Sequence, residues 1–310
     1  MRWGVTEKLL YIAGYGRSGS TVLAAILGTH PAMVSVGEVT FIADDWPDPD
    51  RPCSCGEKYI DCEFWRALTI DEDRLATVAA VQRDVDRHLR WSLVRGHGPM
   101  TNAAVDEYRR FNRAVLAYAR ATSGQPIIVD SSKSARGAGA RALALRRYLG
   151  EDVFVIHLVR NGVATVDSMV NTGSNWVLEG HTSPRRFPAA RASVGWIRAN
   201  AYATIIGRVV GRDRYLQLRY EDLVADPVAA FGAIGRLIGE DLSDLAARIV
   251  AQETFPMGHV VGGNRIRMEG PAQLRRAKSL GVRTRLRPVD RVTVAVVAGW
   301  LHRFYGYRNF

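Results

Sequence analysis

The sequence predicts an α/β fold in which a doubly wound parallel sheet is flanked by helices. Short apolar runs alternate with stretches of helical periodicity, and a glycine-rich turn follows the first apolar run. Strands that alternate with helices form right-handed crossover units, and these build a parallel sheet covered on both faces. The chain has 310 residues and 47% hydrophobic content, enough for a large core. We therefore expect a single domain over residues 1–310 that carries a helical insertion.

The first part of the chain predicts a strand, a loop and a helix in that order. Residues 9–13 are a short apolar run, residues 14–19 a glycine-rich turn, and residues 20–28 a stretch with helical periodicity. Residues 33–36 predict a second short strand, which precedes an irregular segment rich in proline and aspartate.

The rest of the chain continues the alternation. Apolar runs that suit buried parallel strands occur at residues 126–130 and 153–158, and residues 214–219 are the next candidate strand. Helical periodicity marks residues 71–94, 103–121, 135–149, 163–170, 192–211, 227–239 and 289–305. The first two of these helices belong to an insertion over about residues 66–125. The long, basic and glycine-rich segment 252–288 is expected to be a functional loop.

The net charge of +11 is compatible with an anionic partner, and a basic nucleic-acid-binding protein is one alternative. The chain has only four lysines, so its positive charge is almost all arginine, and scattered arginines are usually solvated. The basic segment 265–287 contains no aromatic residue that would interleave with its charges. We therefore expect no nucleic-acid partner.

The sequence shows neither a membrane span nor a signal peptide. No apolar run approaches the roughly 18 residues that cross a bilayer, and residues 1–8 lack the apolar core of a secretory signal. We expect a cytoplasmic protein without a transmembrane segment. The oligomeric state is left open.

The turn after the first strand has the spacing of a phosphate-binding P-loop. Gly14 and Gly19 are followed by Ser20 and Thr21, and Ser20 stands where a nucleoside-triphosphate-binding loop has lysine. Main-chain N–H groups in such a loop hold an anion together with the following helix N-terminus. The residues expected to contact the anion are Gly16, Arg17, Ser18, Gly19, Ser20 and Thr21. The alternative to anion binding is an ordinary loop that connects a strand to a helix.

A second candidate anion site follows the strand at residues 153–158. Arg160 comes at the carboxyl end of that strand, where open α/β sheets bind ligands, and Ser168 follows two helical turns later. Arg160 would hold a phosphate in a bidentate contact, with the Ser168 hydroxyl completing the site. Alone, this pattern is equally typical of a surface arginine and a helical serine.

Together the two patterns resemble the sulfotransferase family. Its members have a phosphosulfate loop of the type G-x-x-R-S-G-[ST]-T and a later strand that ends in R-[DN] followed by a serine. Four further segments are similar to the family, in family order: His30-Pro31 with Gly37-Glu38, residues 129–133 ending in Lys133, residues 220–224 beginning with Tyr220, and the loop 262–267 containing Asn264 and Arg267. The matches run from Gly14 to Arg267.

The resemblance implies transfer of a sulfuryl group from 3′-phosphoadenosine-5′-phosphosulfate (PAPS) to an acceptor hydroxyl. Glu38 would be the general base, while Lys133 and Arg17 would stabilise the leaving bridging oxygen. Arg160, Ser168 and Arg267 would hold the 3′-phosphate, Tyr220 would lie near the nucleotide, and the loop with Asn264 would close over the co-substrate. No metal is expected, because fixed cations supply the positive charge.

The acceptor is not determined by the sequence. A small molecule, a glycan or a lipid hydroxyl are all compatible with the resemblance. Where some relatives carry another phosphate-binding arginine, one turn after Ser168, this chain has Thr172.

Three cysteines fall within ten residues, at Cys53, Cys55 and Cys62. A zinc site would need a fourth ligand, which the sequence does not identify. One disulfide that braces a lid is an alternative to free thiols. The nearby Trp46, Phe64 and Trp65 are expected either to line an acceptor pocket or to form a small core.

Two histidines occupy positions that suggest a role. His157 lies in an apolar run and is expected to be a hydrogen-bonded core residue, while His259 is a weaker candidate base than Glu38.

A P-loop ATP-dependent kinase is the nearest enzymatic alternative. Ser20 opposes it, and Asp130 is its only candidate for a Mg²⁺-binding aspartate.

Overall fold

The computed structural model describes residues 6–95, 100–135, 137–171, 186–274 and 284–308. Five strands form one sheet in the order β2-β3-β1-β4-β5, and every neighbouring pair is parallel. The strands are β1 (Lys8–Gly14), β2 (Met33–Gly37), β3 (Ile127–Asp130), β4 (Val153–Val159) and β5 (Tyr215–Arg219). All five coincide with predicted strands to within one or two residues. The predicted α/β class with a doubly wound parallel sheet is confirmed.

Strands β1 to β4 are largely buried on both faces, which explains why their sequences are continuous apolar runs, whereas β5 lies at the sheet edge with Gln217 exposed. In β1, Leu9 and Tyr11 pack into one hydrophobic cluster, whereas Leu10 and Ile12 pack into another on the opposite face. Side chains alternate along a strand, so each strand contributes to two cores at once.

Helices cover the two faces. The α-helices of the described residues are α1 (Ser20–Leu27), α2 (Ile42–Asp45), α3 (Leu75–Arg95), α4 (Asn102–Ser123), α5 (Arg141–Ala144), α6 (Gly162–Asn171), α7 (Pro188–Val210), α8 (Tyr220–Ala225), α9 (Pro227–Ile238), α10 (Ser243–Val250) and α11 (Pro288–Phe304). Helices α1, α9 and α10 pack on one face, while α3, α4, α5 and α7 pack on the other. Among the described residues, no helix is both long and apolar enough to span a membrane.

A buried polar network joins α3 and α4 to the sheet. Arg141 donates to Asp130 Oδ2 at 3.0 Å, to Gln82 Oε1 at 3.0 Å and to Asn112 Oδ1 at 2.9 Å. Gln82 lies in α3, Asn112 in α4 and Asp130 at the end of β3. All four side chains are buried, so the network fixes the two predicted helices against the sheet.

One predicted helix is shorter than expected. Helical periodicity predicts a helix over residues 135–149, but α5 begins only at Arg141 and continues as a π-helical turn, Leu145–Leu149. Inside the predicted range, Gly137 has a positive φ of 90° that no right-handed helix allows. The segment before α5 is therefore a loop at the carboxyl end of the sheet.

Helices α8 and α10 were not predicted. Both are short, and α10 is recognisable by its buried stripe of Leu245, Ala246 and Ile249. Periodicity over eight residues is too brief a signal to separate a helix from a loop.

The described part of the long basic segment is attached to the sheet. Val261 forms a parallel bridge with Gly37, the last residue of β2, and Phe255 forms an antiparallel bridge with Ala272. The basic residues 275–283 and the break predicted at 96–99 lie outside the described residues, as does Thr172.

Candidate active site

One cleft lies at the carboxyl end of the sheet, where strands β1, β3 and β4 end. It brings together nearly all of the site residues predicted from the sequence. Those that line it are Gly16, Arg17, Gly19, Ser20, Thr21, Glu38, Lys133, Arg160, Ser168, Tyr220, Asn264 and Arg267. The position agrees with the rule that open α/β sheets bind ligands beyond their strand ends.

The glycine-rich turn between β1 and α1 has a backbone that side chains would obstruct. Gly19 precedes the first residue of α1 with φ 94°, and a Cβ there would lie 2.5 Å from Tyr220 Cε2. Gly14 has φ 133°, and a Cβ would lie 2.4 Å from the carbonyl oxygen of Leu158. Glycine is required at both positions. The turn can therefore present main-chain N–H groups to an anion at the start of α1.

Ser18 departs from the prediction. It is buried, and it is the one residue of the predicted set that does not line the cleft. Its Oγ is close to the place that a Cβ on Gly14 would take, at 3.7 Å. The serine side chain fills space behind the turn, so its hydroxyl is not among those that face an anion in the cleft.

The two predicted anion sites adjoin each other. Arg160 Nη1 donates to the main-chain carbonyl oxygen of Arg17 at 2.8 Å, and its guanidinium lies 4.9 Å from the ring centre of Tyr220. Arg17 Nη1 in turn donates to Asn264 Oδ1 at 3.0 Å. Trp196 Nε1 donates to the carbonyl oxygen of Arg160 at 3.1 Å, which fixes the strand end. Two guanidinium groups thus line a single cleft.

Glu38 and Lys133 form an ion pair within the same cleft. Both residues are buried, Glu38 at 9% exposure and Lys133 at 8%. The Glu38 main-chain N–H donates to the Val261 carbonyl at 2.7 Å, and the Tyr11 hydroxyl donates to the Lys133 carbonyl. A carboxylate this buried is kept ionised most readily by an adjacent cation. The pair offers one group that accepts a proton and one that stabilises negative charge.

Both predicted catalytic cations have an unusual backbone. Arg17 has φ 68° and Lys133 has φ 67°, and only four non-glycine residues of the described chain share this region. A left-handed residue other than glycine costs on the order of 1–2 kcal/mol. Such conformations concentrate at functional sites, where the surrounding structure holds them in place.

These observations agree with the comparisons to known proteins. The model of the sulfotransferase family matches residues 10–244, which is well over half of the chain. The chain belongs to the sulfotransferase family.

Solved structures with the same fold carry the same family name. The sulfotransferase domain from the Synechococcus PCC 7002 olefin synthase has a TM-score of 0.54 and 21% identity, and the match covers 100% of this chain and 98% of that one. The sulfotransferase domain from the curacin biosynthetic pathway has a TM-score of 0.50 and 14% identity, covering 95% and 99%. At these identities the likeness shows the fold. A search of curated proteins finds no match.

Arg267 of the sulfotransferase lines the same cleft as Arg160. Its guanidinium donates to the carbonyl oxygens of Gly263 at 3.5 Å and Pro52 at 3.4 Å. It also lowers the pKa of Asp45, although burial dominates and raises that pKa overall. These contacts place Arg267 beside the segment that follows Glu38, while Arg160 contacts Arg17 and Tyr220.

Sequence reasoning missed two charged residues that line the cleft. Asp45 and Arg51 line the cleft and form an ion pair at 2.7 Å. They lie in the proline- and aspartate-rich segment after Glu38, which looked irregular because its only helix, α2, has four residues. Proximity in sequence to Glu38 was the one signal that pointed to them.

The competing Mg²⁺ role for Asp130 has no support in the site geometry. Asp130 is fully buried, accepts hydrogen bonds from Arg141 and from the Ser132 main-chain N–H at 2.9 Å, and does not line the cleft. The carboxylate is thus engaged in the network that holds the helices to the sheet.

His157 is a core residue, as predicted. It is fully buried, and its ring nitrogens lie 2.7 Å from the Tyr215 hydroxyl and 2.9 Å from Asn200 Oδ1. Burial lowers the pKa of His157 to about 4, while the hydrogen bond to Asn200 opposes the shift. The imidazole is therefore neutral at physiological pH.

His259 does not line the cleft, so it is not placed to be the alternative base. It lies instead against Cys53 and Cys62, with its Nδ1 4.0 and 3.2 Å from their sulfurs. The three cysteines are free thiols, and the disulfide considered from the sequence is not formed. His259, in a loop far from the cysteines along the chain, thus supplies the fourth potential ligand that the sequence did not identify.

The aromatic residues near the cysteines form a small core. Trp65 is fully buried, Phe64 packs against it edge-on with ring centres 4.9 Å apart, and Trp46 stacks on Tyr59 at 5.7 Å. None of Trp46, Phe64 and Trp65 lines the cleft. Of the two roles considered from the sequence, packing is the one the structure supports.

Proposed function

We propose that this sulfotransferase moves the sulfuryl group of PAPS to an acceptor hydroxyl. The observation that carries the proposal is that one cleft holds Arg160, which donates to the main-chain carbonyl of the glycine turn, the Arg17 side chain and a buried carboxylate–ammonium pair. Two anion sites at a fixed spacing suit a nucleotide that has phosphate at both its 3′ and 5′ positions. The buried pair suits transfer to a neutral hydroxyl.

The hydrogen-bond donors that line the cleft fit such a nucleotide. The glycine turn, with Ser20 and Thr21 at the start of α1, would hold the 5′-phosphosulfate through N–H and hydroxyl groups. Arg160 and Ser168 would hold the 3′-phosphate, which ATP lacks. Tyr220 lies against Arg160 and would position that guanidinium.

The donor supplies an activated sulfuryl group with an anionic leaving group. Glu38 accepts the proton of the acceptor hydroxyl, whose oxygen forms a bond to sulfur as the bond from sulfur to the bridging oxygen breaks. Lys133 and Arg17 stabilise the charge left on that oxygen. Because these fixed cations supply positive charge, we propose a transfer step that needs no metal.

Lys133 has a second task in this proposal. Before the acceptor binds, it keeps Glu38 ionised in a buried position. During transfer, Glu38 becomes neutral as it takes the proton. The same ammonium group can then stabilise the negative charge that builds on the bridging oxygen. Its left-handed backbone aims the side chain into the cleft at the end of β3.

Arg267 has a proposed role on the acceptor side. Its contacts with Pro52 and Gly263 join the loop after Val261 to the segment after Glu38. We therefore assign it to closing that side of the cleft, together with Asp45 and Arg51. The acceptor itself is a small-molecule, glycan or lipid hydroxyl.

The proposal is tested by offering the purified protein different donors. Formation of 3′-phosphoadenosine-5′-phosphate from PAPS is followed with a panel of phenol, sugar and lipid alcohols, and ATP with Mg²⁺ is tested on the same panel. We expect turnover with PAPS alone. Phosphoryl transfer from ATP with Mg²⁺, without any sulfuryl transfer from PAPS, would contradict the proposal and favour the kinase alternative.

A further inference from the structure

Four side chains that are potential metal ligands converge outside the cleft. Cys53, Cys55 and Cys62 belong to the loop after α2, and His259 belongs to the loop after α10, about 200 residues further along the chain. Their ligand atoms, three sulfurs and one ring nitrogen, all lie within 4.8 Å of one another. Because His259 is so far from the cysteines along the chain, it is the fold that brings the four side chains together.

The spacing of these atoms is that of a tetrahedral ligand set. Cys62 Sγ lies 3.2 Å from His259 Nδ1 and 3.7 Å from Cys55 Sγ, and Cys53 Sγ lies 4.0 Å from His259 Nδ1. With Zn–S bonds of about 2.3 Å and Zn–N bonds of about 2.0 Å, the edges of a tetrahedron measure roughly 3.5–3.8 Å. A disulfide needs sulfurs about 2.05 Å apart, so the thiols are spaced for an ion and not for a bond.

The surroundings support the ligand atoms. His259 directs Nδ1 at the sulfurs, while its Nε2 lies 3.1 Å from Glu63 Oε1. A carboxylate on the second ring nitrogen is the usual partner of a metal-bound histidine. Phe64 stacks on the imidazole with ring centres 5.8 Å apart, and Trp65 Nε1 donates to the His259 carbonyl at 2.8 Å. The ring is thus held in one orientation.

The sulfurs also have the hydrogen bonds that thiolates use. Burial raises the pKa of Cys62, and the main-chain N–H groups of Trp65 and Phe64 act in the opposite direction by donating to its sulfur. The Cys55 main chain does the same for Cys53. Cys53 and Cys62 are fully buried, whereas Cys55 is exposed.

We propose that Cys53, Cys55, Cys62 and His259 bind one structural Zn²⁺ ion. Three sulfur ligands and one nitrogen ligand complete a tetrahedron and leave no position for a substrate, which is the pattern of a structural site. On binding, the thiols lose their protons to solvent, and the ion replaces them as the positive partner of the sulfurs.

The proposed ion would connect two segments that border the cleft. Val261, two residues after His259, donates to the Val36 carbonyl at 3.0 Å and accepts from the Glu38 N–H at 2.7 Å. Gly263 and Asn264, which follow, line the cleft. The zinc site would therefore fix the loop that supports Glu38, although metal binding itself does not depend on which donor the enzyme uses.

The test measures metal on the intact protein. Protein purified without chelator is analysed by inductively coupled plasma mass spectrometry, and Co²⁺ is then exchanged into it. We expect about one zinc per chain, and for Co²⁺ the sulfur-to-metal charge-transfer and intense visible bands of a tetrahedral thiolate site. Cys55→Ser, at an exposed position, should lower metal affinity at least 10-fold, whereas His259→Cys should retain the ion.

Ser54→Ala is the matched control. The Ser54 hydroxyl donates to the Gly258 carbonyl at 2.6 Å and accepts from the Val260 N–H at 2.9 Å, so it connects the same two loops without being a ligand. This variant should keep its zinc. Wild-type protein that holds no zinc after incubation with the ion, or intact mass showing a disulfide in purified protein, would overturn the proposal. Equal zinc affinity in wild type and Cys55→Ser, measured by competition with a chelator, would do the same.

Discussion

Arg160 donates a hydrogen bond of 2.8 Å to the main-chain carbonyl oxygen of Arg17. This contact joins the end of β4 to the glycine turn after β1, and the two strands are neighbours in the sheet. The two anion-binding patterns of the sequence are thus parts of one cleft. Under the proposed function, a ligand that spans both carries two anionic groups.

The proposed base is tested by Glu38→Gln, which keeps the side-chain shape but cannot accept the acceptor proton. We expect kcat to fall by about 10²–10⁴-fold, the usual contribution of a positioned general base. Affinity for 3′-phosphoadenosine-5′-phosphate should change little. Steady-state kinetics and calorimetry separate the two effects.

Asp44→Asn is the control for that variant. Asp44 pairs with Arg83 at 2.9 Å on the surface and does not line the cleft, so its kcat should match the wild type. Normal turnover by Glu38→Gln on an established acceptor would remove the base assignment.

The role of Tyr220 is tested by comparing Tyr220→Phe with Tyr220→Ala. Phenylalanine keeps an aromatic face 4.9 Å from the Arg160 guanidinium, whereas alanine removes it. A cation–π contact contributes about 0.5–2 kcal/mol, so Tyr220→Ala should weaken nucleotide affinity roughly 2–30-fold. Tyr220→Phe should bind as the wild type does. Equal losses in the two variants would instead assign the effect to the hydroxyl.

The buried network predicts a large stability cost for Asp130→Ala. The change leaves the Arg141 guanidinium buried without its carboxylate, which costs about 3–5 kcal/mol in comparable cases. Asp44→Ala removes the partner of a half-exposed arginine and should cost less than about 1 kcal/mol. Urea unfolding gives both free energies. Similar values would show that the network does not hold α3 and α4 to the sheet.

The buried His157 predicts that stability falls with acidification. Its pKa is lowered to about 4 in the folded protein, so between about pH 6.5 and 4 the unfolded chain binds a proton that the folded chain does not. The free energy of unfolding should drop by about 3 kcal/mol over that window from this residue alone. Above pH 6.5 the contribution is constant. In His157→Gln the slope of stability against pH should be shallower, and an unchanged slope would contradict this explanation.

Much of the fold could be predicted from the sequence because most of the strands are buried on both faces. All five strands were predicted, and the cleft position followed from the three strands β1, β3 and β4, which lead to the glycine turn, Lys133 and Arg160. The late start of α5 was not predicted, because the positive φ of Gly137 interrupts the helical pattern of residues 135–149.

The cysteine cluster could not be resolved from sequence for a different reason. The fourth group, His259, lies in a distant loop and joins the thiols only through the bridge between Gly37 and Val261. Likewise, Arg267 and Ser18 stand in family-like motifs, but the direction of each side chain depends on packing around it. Contacts of this kind depend on tertiary structure, which local patterns do not encode.

The central claim is that Arg160 recognises a 3′-phosphate. The most direct test is calorimetric affinity for 3′-phosphoadenosine-5′-phosphate compared with ADP, in the wild type, in Arg160→Ala and in the surface control Arg83→Ala. We expect the wild type and the control to prefer the 3′-phosphorylated nucleotide by roughly 10–100-fold, the value of a charged hydrogen bond. Arg160→Ala should bind both nucleotides about equally. Equal affinities in the wild type, or a preference that survives in Arg160→Ala, would contradict the claim.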